Sequence, residues 1–256
     1  MKDEFSKEGF AARLEDMCGL AAKRRKPFYT LFLNEREQYE ANAYLGRRSG
    51  INTVLWGGDE ACTRKMLRVC DEDCYVQDDR SDFPIYAITL TFRKADKPGH
   101  RDFLGSFMAL GIKRETVGDI FVGEGAAVVF CSKTAHDLIA DGIATVGRTG
   151  VSVTEGVTGD AAGYITPARF ETIQVNIASE RADCIVSGIT GLSREKSAAL
   201  IRSGGFILNY SECDNISRDL SGGDVVTLRG YGKYIVCEDI QTTKKGRLKI
   251  ELKKYI

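Results

Sequence analysis

Four basic side chains in the last third of the chain stand where they could bind phosphate. Arg181 opens one predicted helix, and Arg194 and Lys196 lie in the first turn of the next. Arg202 lies near the end of that second helix. A guanidinium can donate two parallel hydrogen bonds to a phosphate, and the free N–H groups at a helix start also favour an anion. Charge alone leaves a second interpretation open, because most exposed Lys and Arg side chains are only solvated surface charges.

The basic charge is concentrated in the C-terminal part of a chain that is neutral overall. Residues 181–256 hold 13 Lys and Arg against 9 Asp and Glu, a net charge of +4. Residues 1–180 hold 23 against 27, a net charge of −4. Because phosphate backbones attract a basic surface, this distribution favours a nucleic acid as the partner of the C-terminal part.

The residues around these cations predict two short helices followed by strands. Apolar residues spaced as on one helix face predict the first helix, which Gly191 can close. Ser193 is a suitable N-cap for the second helix, and Gly204-Gly205 can end it because glycine tolerates a left-handed backbone. The residues that complete the pattern are Ile185, Val186 and Ile189, then Ala198, Leu200 and Ile201, the strands Phe206–Leu208 and Val225–Leu228, and the turn Ser221–Asp224.

This region resembles the S-four domain, a small RNA-binding module named after a small-subunit ribosomal protein. The resemblance is carried by Arg181-Ala-Asp183, Ser193-Arg194, Ala198, Leu200-Ile201, Gly205-Phe-Ile-Leu-Asn209 and Gly223-Asp224-Val225. Ala182 departs from the pattern, since the family usually has Leu there. With the resemblance, RNA contact becomes the favoured interpretation. The expected RNA-binding residues are Arg181, Ser193, Arg194, Lys196, Arg202 and Lys233. Asp183 either orients Arg181 or caps the helix start, and we favour the cap.

The chain begins with a predicted helix over residues 3–25, which Pro27 ends. The basic run Lys23-Arg24-Arg25-Lys26 lies at the C-terminal end of this helix. Either the run touches phosphate, through Arg24 and Arg25, or it only complements the negative end of the helix dipole.

The rest of the first 78 residues predicts a helix, a strand and a second helix. Asn34 and Glu37 form a capping-box pattern for a helix that reaches Gly46. A strand at Ile51–Trp56 and a helix from Asp59 to about Val69 are predicted next, and the acidic run over residues 70–82 predicts a domain boundary.

Residues 79–165 predict the order strand-helix-strand-strand-helix-strand, which is the split βαβ pattern. The predicted strands are Phe83–Phe92, Gly118–Val122, Ala126–Phe130 and Thr149–Val153, and the helices are His100–Leu110 and Thr134–Ile143. RRM domains share this order and stack RNA bases on strand aromatics. Phe121 and Phe130 are the candidates here, but core packing is the favoured role. Residues Phe170–Ile177 are predicted to form a strand that joins the middle domain to the basic C-terminal part.

Segments of the first two parts resemble the YlmH family of bacterial proteins, at Phe32–Tyr39, His100–Glu115 and Val117–Ile120. The resemblance implies an α+β architecture with an N-terminal helical or α/β piece (1–78), an RRM-like (ferredoxin-like) domain (79–165) and a C-terminal S-four-type domain (178–256). It also implies a ribosome-associated protein that binds ribosomal RNA and transfer RNA on the large subunit, with links to rescue of stalled subunits and to cell division. Secondary RNA contacts are expected at Arg24, Arg25, Arg101, Lys113 and Arg114.

Catalysis has little support in the sequence, although S-four domains often accompany pseudouridine synthases and RNA methyltransferases. An RNA-modifying enzyme of either type is therefore the alternative function. A methyltransferase needs a glycine-rich loop between a strand and a helix, whereas Gly123-Glu-Gly125 lies in a predicted hairpin. About 75 residues of middle domain are few for a synthase. His100-Arg101-Asp102 has no nucleophile placed beside it by any motif. A protein-interaction adaptor is a third class of function.

The eight cysteines and two histidines do not form a metal-binding pattern, because no Cys-x-x-Cys pair occurs. We therefore predict no metal, no cofactor and no catalytic residue. The charged first residues do not predict a signal peptide, and no apolar run is long enough to span a membrane. We expect a cytoplasmic monomer.

Overall fold

The computed structural model describes residues 7–74, 80–242 and 246–256, which fall into two compact units, Met1–Pro167 and Ala168–Ile256. Residues 3–6 of the first predicted helix and residues 75–79 of the predicted acidic boundary lie outside the described residues. The predicted division near residue 78 and the other predicted domain limits stay predictions.

Two helices and an antiparallel three-stranded sheet form the N-terminal part of the first unit. Its elements are α1 (Lys7–Arg24), β1 (Phe28–Tyr29), α2 (Glu35–Leu45), β2 (Ile51–Trp56) and β3 (Met66–Asp71), with the strand order β1-β3-β2. The predicted capping box of α2 is confirmed. The Asn34 side chain accepts the N–H of Glu37, and the Glu37 carboxylate accepts the N–H of Asn34.

The predicted helix from residue 59 to about 69 is wrong. Residues 66–71 form the central strand β3, and the residues before them form turns. Both faces of β3 are covered: Leu67 and Val69 pack in one apolar cluster with Leu14 of α1, whereas Met66 packs in another with Phe32. A strand covered on both faces shows no alternation of apolar and polar residues, so a short apolar run of this kind does not distinguish strand from helix.

A four-stranded antiparallel sheet and two helices form the rest of the first unit. The elements are β4 (Ile85–Thr91), α3 (His100–Ala109), β5 (Val117–Val122), β6 (Ala126–Ser132), α4 (Lys133–Gly142), the small hairpin β7 (Thr145–Val146) and β8 (Thr149–Gly150), and β9 (Ser152–Glu155). The strand order is β5-β6-β4-β9. Leaving the small hairpin aside, the elements follow the predicted order strand-helix-strand-strand-helix-strand.

Both faces of this sheet are covered by other parts of the same unit. On one face, Ile88 and Val129 pack with Phe103 and Phe107 of α3. On the other face, Phe130 packs in a cluster with Phe32, Met66 and other residues of the N-terminal part. A short helical turn, Gly159–Tyr164, also contributes to this second cluster. The N-terminal part therefore covers the sheet face that the helices leave open.

The second unit combines a six-stranded antiparallel sheet with two helices. Its elements are β10 (Phe170–Ile177), α5 (Ala182–Thr190), α6 (Arg194–Leu200) with a wide final turn Ile201–Gly205, β11 (Phe206–Leu208), β12 (Ser211–Glu212), β13 (Val225–Leu228), β14 (Gly232–Thr242) and β15 (Leu248–Tyr255). The strand order is β10-β15-β14-β13-β11-β12. Ile185 and Val186 of α5 pack on Val226 and Leu252 of the sheet. The predicted joining strand β10 is thus a full member of this sheet, paired with β15 along its whole length.

Candidate nucleic-acid interface

Two arginines meet on one buried carboxylate where α5 and α6 begin. The Nε of Arg181 donates to Asp183 Oδ1 at 3.2 Å, and its Nη2 donates to Oδ2 at 3.4 Å. The Nη2 of Arg194 donates to the same Oδ2 at 3.1 Å. The Asp183 side chain is only 7% exposed, whereas that of Arg194 is 60% exposed. The carboxylate is therefore an internal anchor, and Arg194 keeps most of its surface free for a ligand.

The local sequence explains why the two helix starts adjoin. Gly191 ends α5 with a φ of 71°, a left-handed conformation that suits glycine. Two residues later Ser193 caps α6, because its hydroxyl accepts the N–H of Lys196 at 3.3 Å. This short connection folds α6 back beside α5, so that Arg194 reaches Asp183. Both predicted helix signals, the glycine stop and the serine cap, are confirmed.

The favoured interpretation of Asp183 as a helix cap is wrong. Arg181 occupies the N-cap position of α5, and no side-chain capping hydrogen bond is formed there. Burial tends to raise the pKa of Asp183, but the hydrogen bonds from Arg181 and Arg194 outweigh it and hold the pKa below its usual value. The carboxylate is therefore ionised at neutral pH and orients both arginines.

The other predicted RNA-binding residues are found in varied surroundings. Lys196 and Arg202 are exposed on α6 and its final turn. The hydroxyl of Ser193 is used in the cap described above. Lys233 lies on β14, in the sheet, with its Nζ 4.5 Å from the ring centroid of Tyr255 and 5.0 Å from that of Tyr210. The structure thus brings Arg181, Arg194 and Asp183 together and places Lys233 in an aromatic environment.

The predicted secondary contacts divide into exposed and structural residues. Arg24, Arg25, Arg101 and Lys113 are exposed. Arg114 is half-buried, and its Nη1 donates to the carbonyl of Val117 at 2.5 Å. Burial, followed by the charge of Arg64, lowers the pKa of Arg114 to about 10. Arg114 is thus engaged by the fold, and its role toward RNA stays a prediction.

The candidate stacking ring Phe130 of the first unit is not available for base stacking in this conformation, and the second candidate, Phe121, is half-buried beside it. Phe130 is 4% exposed and makes an edge-to-face contact with Phe121, with the ring centroids 6.2 Å apart. The favoured core role of Phe130 is confirmed. His100 opens α3, and partial burial together with the charge of Arg114 lowers its pKa.

An aromatic group in the second unit was not predicted from the sequence. Phe170 and Tyr255 are paired across β10 and β15, with ring centroids 4.7 Å apart. The alternation Lys249, Glu251, Lys253, Tyr255 could have revealed that these side chains share one face of a strand.

Among residues 7–74, 80–242 and 246–256, no three His, Cys, Asp or Glu side chains are grouped to hold a metal ion. In the same residues, no helix is long and apolar enough to cross a membrane.

Comparison with known proteins found similarity to a family model, to a relative and to a solved structure. A relative from Bacillus subtilis (strain 168), named "Ribosome-associated protein quality control protein P2", is 28% identical over 224 residues, which are 86% of this chain and 84% of the relative. The solved structure of "Cell division protein ylmH from Streptococcus pneumoniae" aligns with a TM-score of 0.52 and 21% identity, over 61% of this chain and 95% of that chain. At that identity the alignment shows a shared fold and no more. Residues 79–160 match the family described as "Putative RNA-binding domain in YlmH".

Proposed function

We propose that this chain is a non-catalytic RNA-binding protein of the cytoplasm that associates, as a monomer, with ribosomal RNA and transfer RNA on the large ribosomal subunit. Residues 168–256 act as an S-four-type RNA-binding domain in this proposal. The name of the Bacillus subtilis relative supports ribosome association, and the family of residues 79–160 supports RNA binding. A role in ribosome-associated quality control follows from the same relative.

One observation carries the proposal: Asp183 holds Arg181 and Arg194 side by side at the start of two neighbouring helices. Structured RNA presents chiefly phosphates and 2′-hydroxyl groups on its surface. Arginines that a buried carboxylate already orients lose less side-chain entropy when they bind phosphate. Lys196 and Arg202, exposed on α6 and its final turn, add positive charge to the same helical segment.

We also propose that the sheet of the first unit is RRM-like, in the ferredoxin-like sense. Its strand order β5-β6-β4-β9 and its two helices on one face support this assignment. In an RRM the other sheet face binds single-stranded RNA. Since Phe130 and its neighbours are covered by the N-terminal part, RNA contacts of residues 79–160 would use exposed cations such as Arg101 instead.

Co-sedimentation of the full chain with ribosomal subunits at two salt concentrations tests the function. Wild-type protein should sediment with the large subunit and dissociate as salt rises, because each phosphate contact releases a counterion. Replacing Arg181 and Arg194 together by Ala should weaken binding and reduce the salt slope by about two charges.

A matched control is the double variant Arg13→Ala and Arg36→Ala, which removes two exposed arginines from α1 and α2. The control should bind like the wild type. Equal binding by all three folded proteins, verified by circular dichroism, would refute the arginine assignment. Absence of wild-type binding to ribosomal subunits and to free ribosomal RNA would refute the function itself.

A further inference from the structure

The second unit has a sheet face that its helices do not cover. Along β10, β13, β14 and β15, alternate residues such as Val175, Val226, Val236 and Leu252 point into the core beneath α5. Because successive side chains of a strand point to opposite sides, the residues between them lie on the other face. We call this surface the outer face of the second unit.

Strand register fixes which residues are neighbours at one end of the outer face. Phe170 is paired with Tyr255, and Lys233 is paired with Thr227. Lys233 also approaches Tyr255, so these four residues form one row, which continues through Ile207 to Glu212 at the far edge of the sheet. The next row consists of Thr172, Lys253, Ile235 and Val225. All residues of both rows are described, and on β10, β15, β14 and β13 the two rows contain two lysines and no carboxylate.

The first row combines exposed aromatic surface with positive charge. Phe170 is 40% exposed, and it is the only exposed phenylalanine among residues 9–74, 80–242 and 246–256. Its edge-to-face contact with Tyr255 and the position of the Lys233 ammonium over the Tyr255 ring fix the arrangement of the group. Tyr231, in the turn before β14, is 39% exposed, and Arg229 beside it is also exposed. The same end of the sheet thus offers several aromatic rings and cations.

We propose that this end of the outer face binds an unpaired stretch of RNA, with a base stacked on Phe170 and phosphates held by Lys233 and Lys253. Aromatic rings interleaved with cations are the usual means of binding single-stranded nucleic acid, because every base has a face to stack and every linkage carries a charge. The inference rests on the proposed RNA-binding function. It adds a single-strand site on the face opposite α5, distinct from the Arg181–Arg194 pair, which is formed on the helices.

The chemistry of the two rows favours RNA over an apolar protein partner. Lys253 is exposed and Lys233 is half-buried between rings, so a covering protein would have to desolvate two ammonium groups. A nucleic acid neutralises both charges with its phosphates. Lys249 is on the same face of β15 but six residues from Tyr255, whereas Lys253 is two residues from it, so Lys249 lies further from the aromatic rings.

The test uses the full chain, a short single-stranded oligouridylate and an RNA hairpin, each fluorescently labelled. Phe170→Leu keeps an apolar side chain but removes the aromatic face, and should lower affinity for the oligouridylate about tenfold. Phe170→Trp should retain that affinity, and its added indole fluorescence should be quenched by the oligouridylate. Lys253→Gln should reduce the salt slope by about one charge, whereas the matched variant Lys249→Gln should not.

The outcomes separate this inference from the proposed function. Equal oligouridylate affinity of Phe170→Leu and Phe170→Trp would overturn the inference, as would wild-type protein that binds the hairpin but not the single strand. In both cases hairpin binding that depends on Arg181 and Arg194 would leave the proposed function intact. Wild-type protein that binds neither RNA would overturn both. Thermal unfolding of each variant verifies that the fold is retained.

Discussion

The Asp119 carboxylate accepts two hydrogen bonds from Thr63, one from its backbone N–H at 2.7 Å and one from its hydroxyl at 2.8 Å. The N–H of Arg64 donates to the same carboxylate at 2.8 Å. Asp119 is on β5 and Thr63 is in the turn before β3, so these bonds join the N-terminal part of the first unit to its four-stranded sheet. The guanidinium of Arg64 strengthens the junction by donating to the carbonyls of Val117 and Phe32.

Replacing Asp119 by Ala should therefore lower the free energy of unfolding of the first unit. Hydrogen bonds to a charged group contribute about 1.5–3 kcal/mol each, and with partial exposure we expect a total loss of about 2–4 kcal/mol. Urea denaturation measures this loss in the free energy of unfolding. Asp119→Asn retains one oxygen acceptor and should lose less. A variant Asp119→Ala as stable as the wild type would show that the junction adds nothing to stability.

Two glycines in helices predict opposite effects of the same substitution. Gly105 lies in α3, where an added Cβ would meet nothing within 4 Å, so Gly105→Ala should stabilise by roughly 0.5–1 kcal/mol through helix propensity. Gly188 lies in α5 against β10, where a Cβ would come within 2.9 Å of Ile177 Cγ2 and 3.1 Å of Val175 Cβ. Gly188→Ala should destabilise by about 1–3 kcal/mol, because those branched side chains cannot move aside easily. Thermal unfolding of both variants measures the two changes in stability. Destabilisation by Gly105→Ala or stabilisation by Gly188→Ala would contradict the packing described.

Acid should weaken the arginine anchor of the second unit. The pKa of Asp183 is lowered in the folded protein, so its contribution to stability is complete above the ordinary Asp pKa of about 3.9 and is lost as pH falls through the lower folded value. Asp183→Asn should therefore be less stable than the wild type near neutral pH, and the difference should shrink below about pH 4. Urea denaturation at neutral and acidic pH measures this difference. A difference that is constant with pH would mean that the carboxylate charge is not what Arg181 and Arg194 stabilise.

Local signals in the sequence predicted the second unit well. Gly191, Ser193 and Gly204 act within a few residues of themselves, and each helix boundary they predict is found in the structure. The bond from Arg194 to Asp183 spans 11 residues and depends on how α6 folds back on α5. Such a contact is set by tertiary packing, which is why the local cap was the favoured interpretation of Asp183.

In the first unit, contacts between parts of the chain that are distant in sequence could not be predicted. The order of its strands and helices after residue 83 follows from periodicity, but the cover on the outer side of β6 comes from residues as distant in sequence as Phe32. No pattern in Phe130 itself distinguishes a ring that stacks on RNA from a ring that packs on another part of the chain. The buried strand β3 was mistaken for a helix because burial on both faces removes the alternation that marks a strand.

Phe130→Ala should separate these two roles. Loss of a fully packed phenyl ring should lower the free energy of unfolding by about 3–5 kcal/mol. RNA affinity of the protein that remains folded should not change, because the ring is covered by the N-terminal part. Urea denaturation and RNA titration below the unfolding transition measure the two effects. A large loss of RNA affinity in folded Phe130→Ala would mean that the N-terminal part moves off the sheet when RNA binds.

The last prediction concerns which unit supplies the affinity for structured RNA. Residues 168–256 have their own apolar core, built from β10, β15 and α5, so this fragment should fold alone. It contains the Arg181–Arg194 pair and the net positive charge, and should retain most of the affinity of the full chain for a ribosomal or transfer RNA. Residues 1–167 contain the segment that matches the YlmH family model. The sheet face of this fragment is covered and its net charge is not positive, so it should bind more weakly. Titration of both folded fragments at one salt concentration compares them directly. Stronger binding by residues 1–167 would assign the main RNA contact to the helix side and loops of the first unit, and would leave the arginine pair with a structural role.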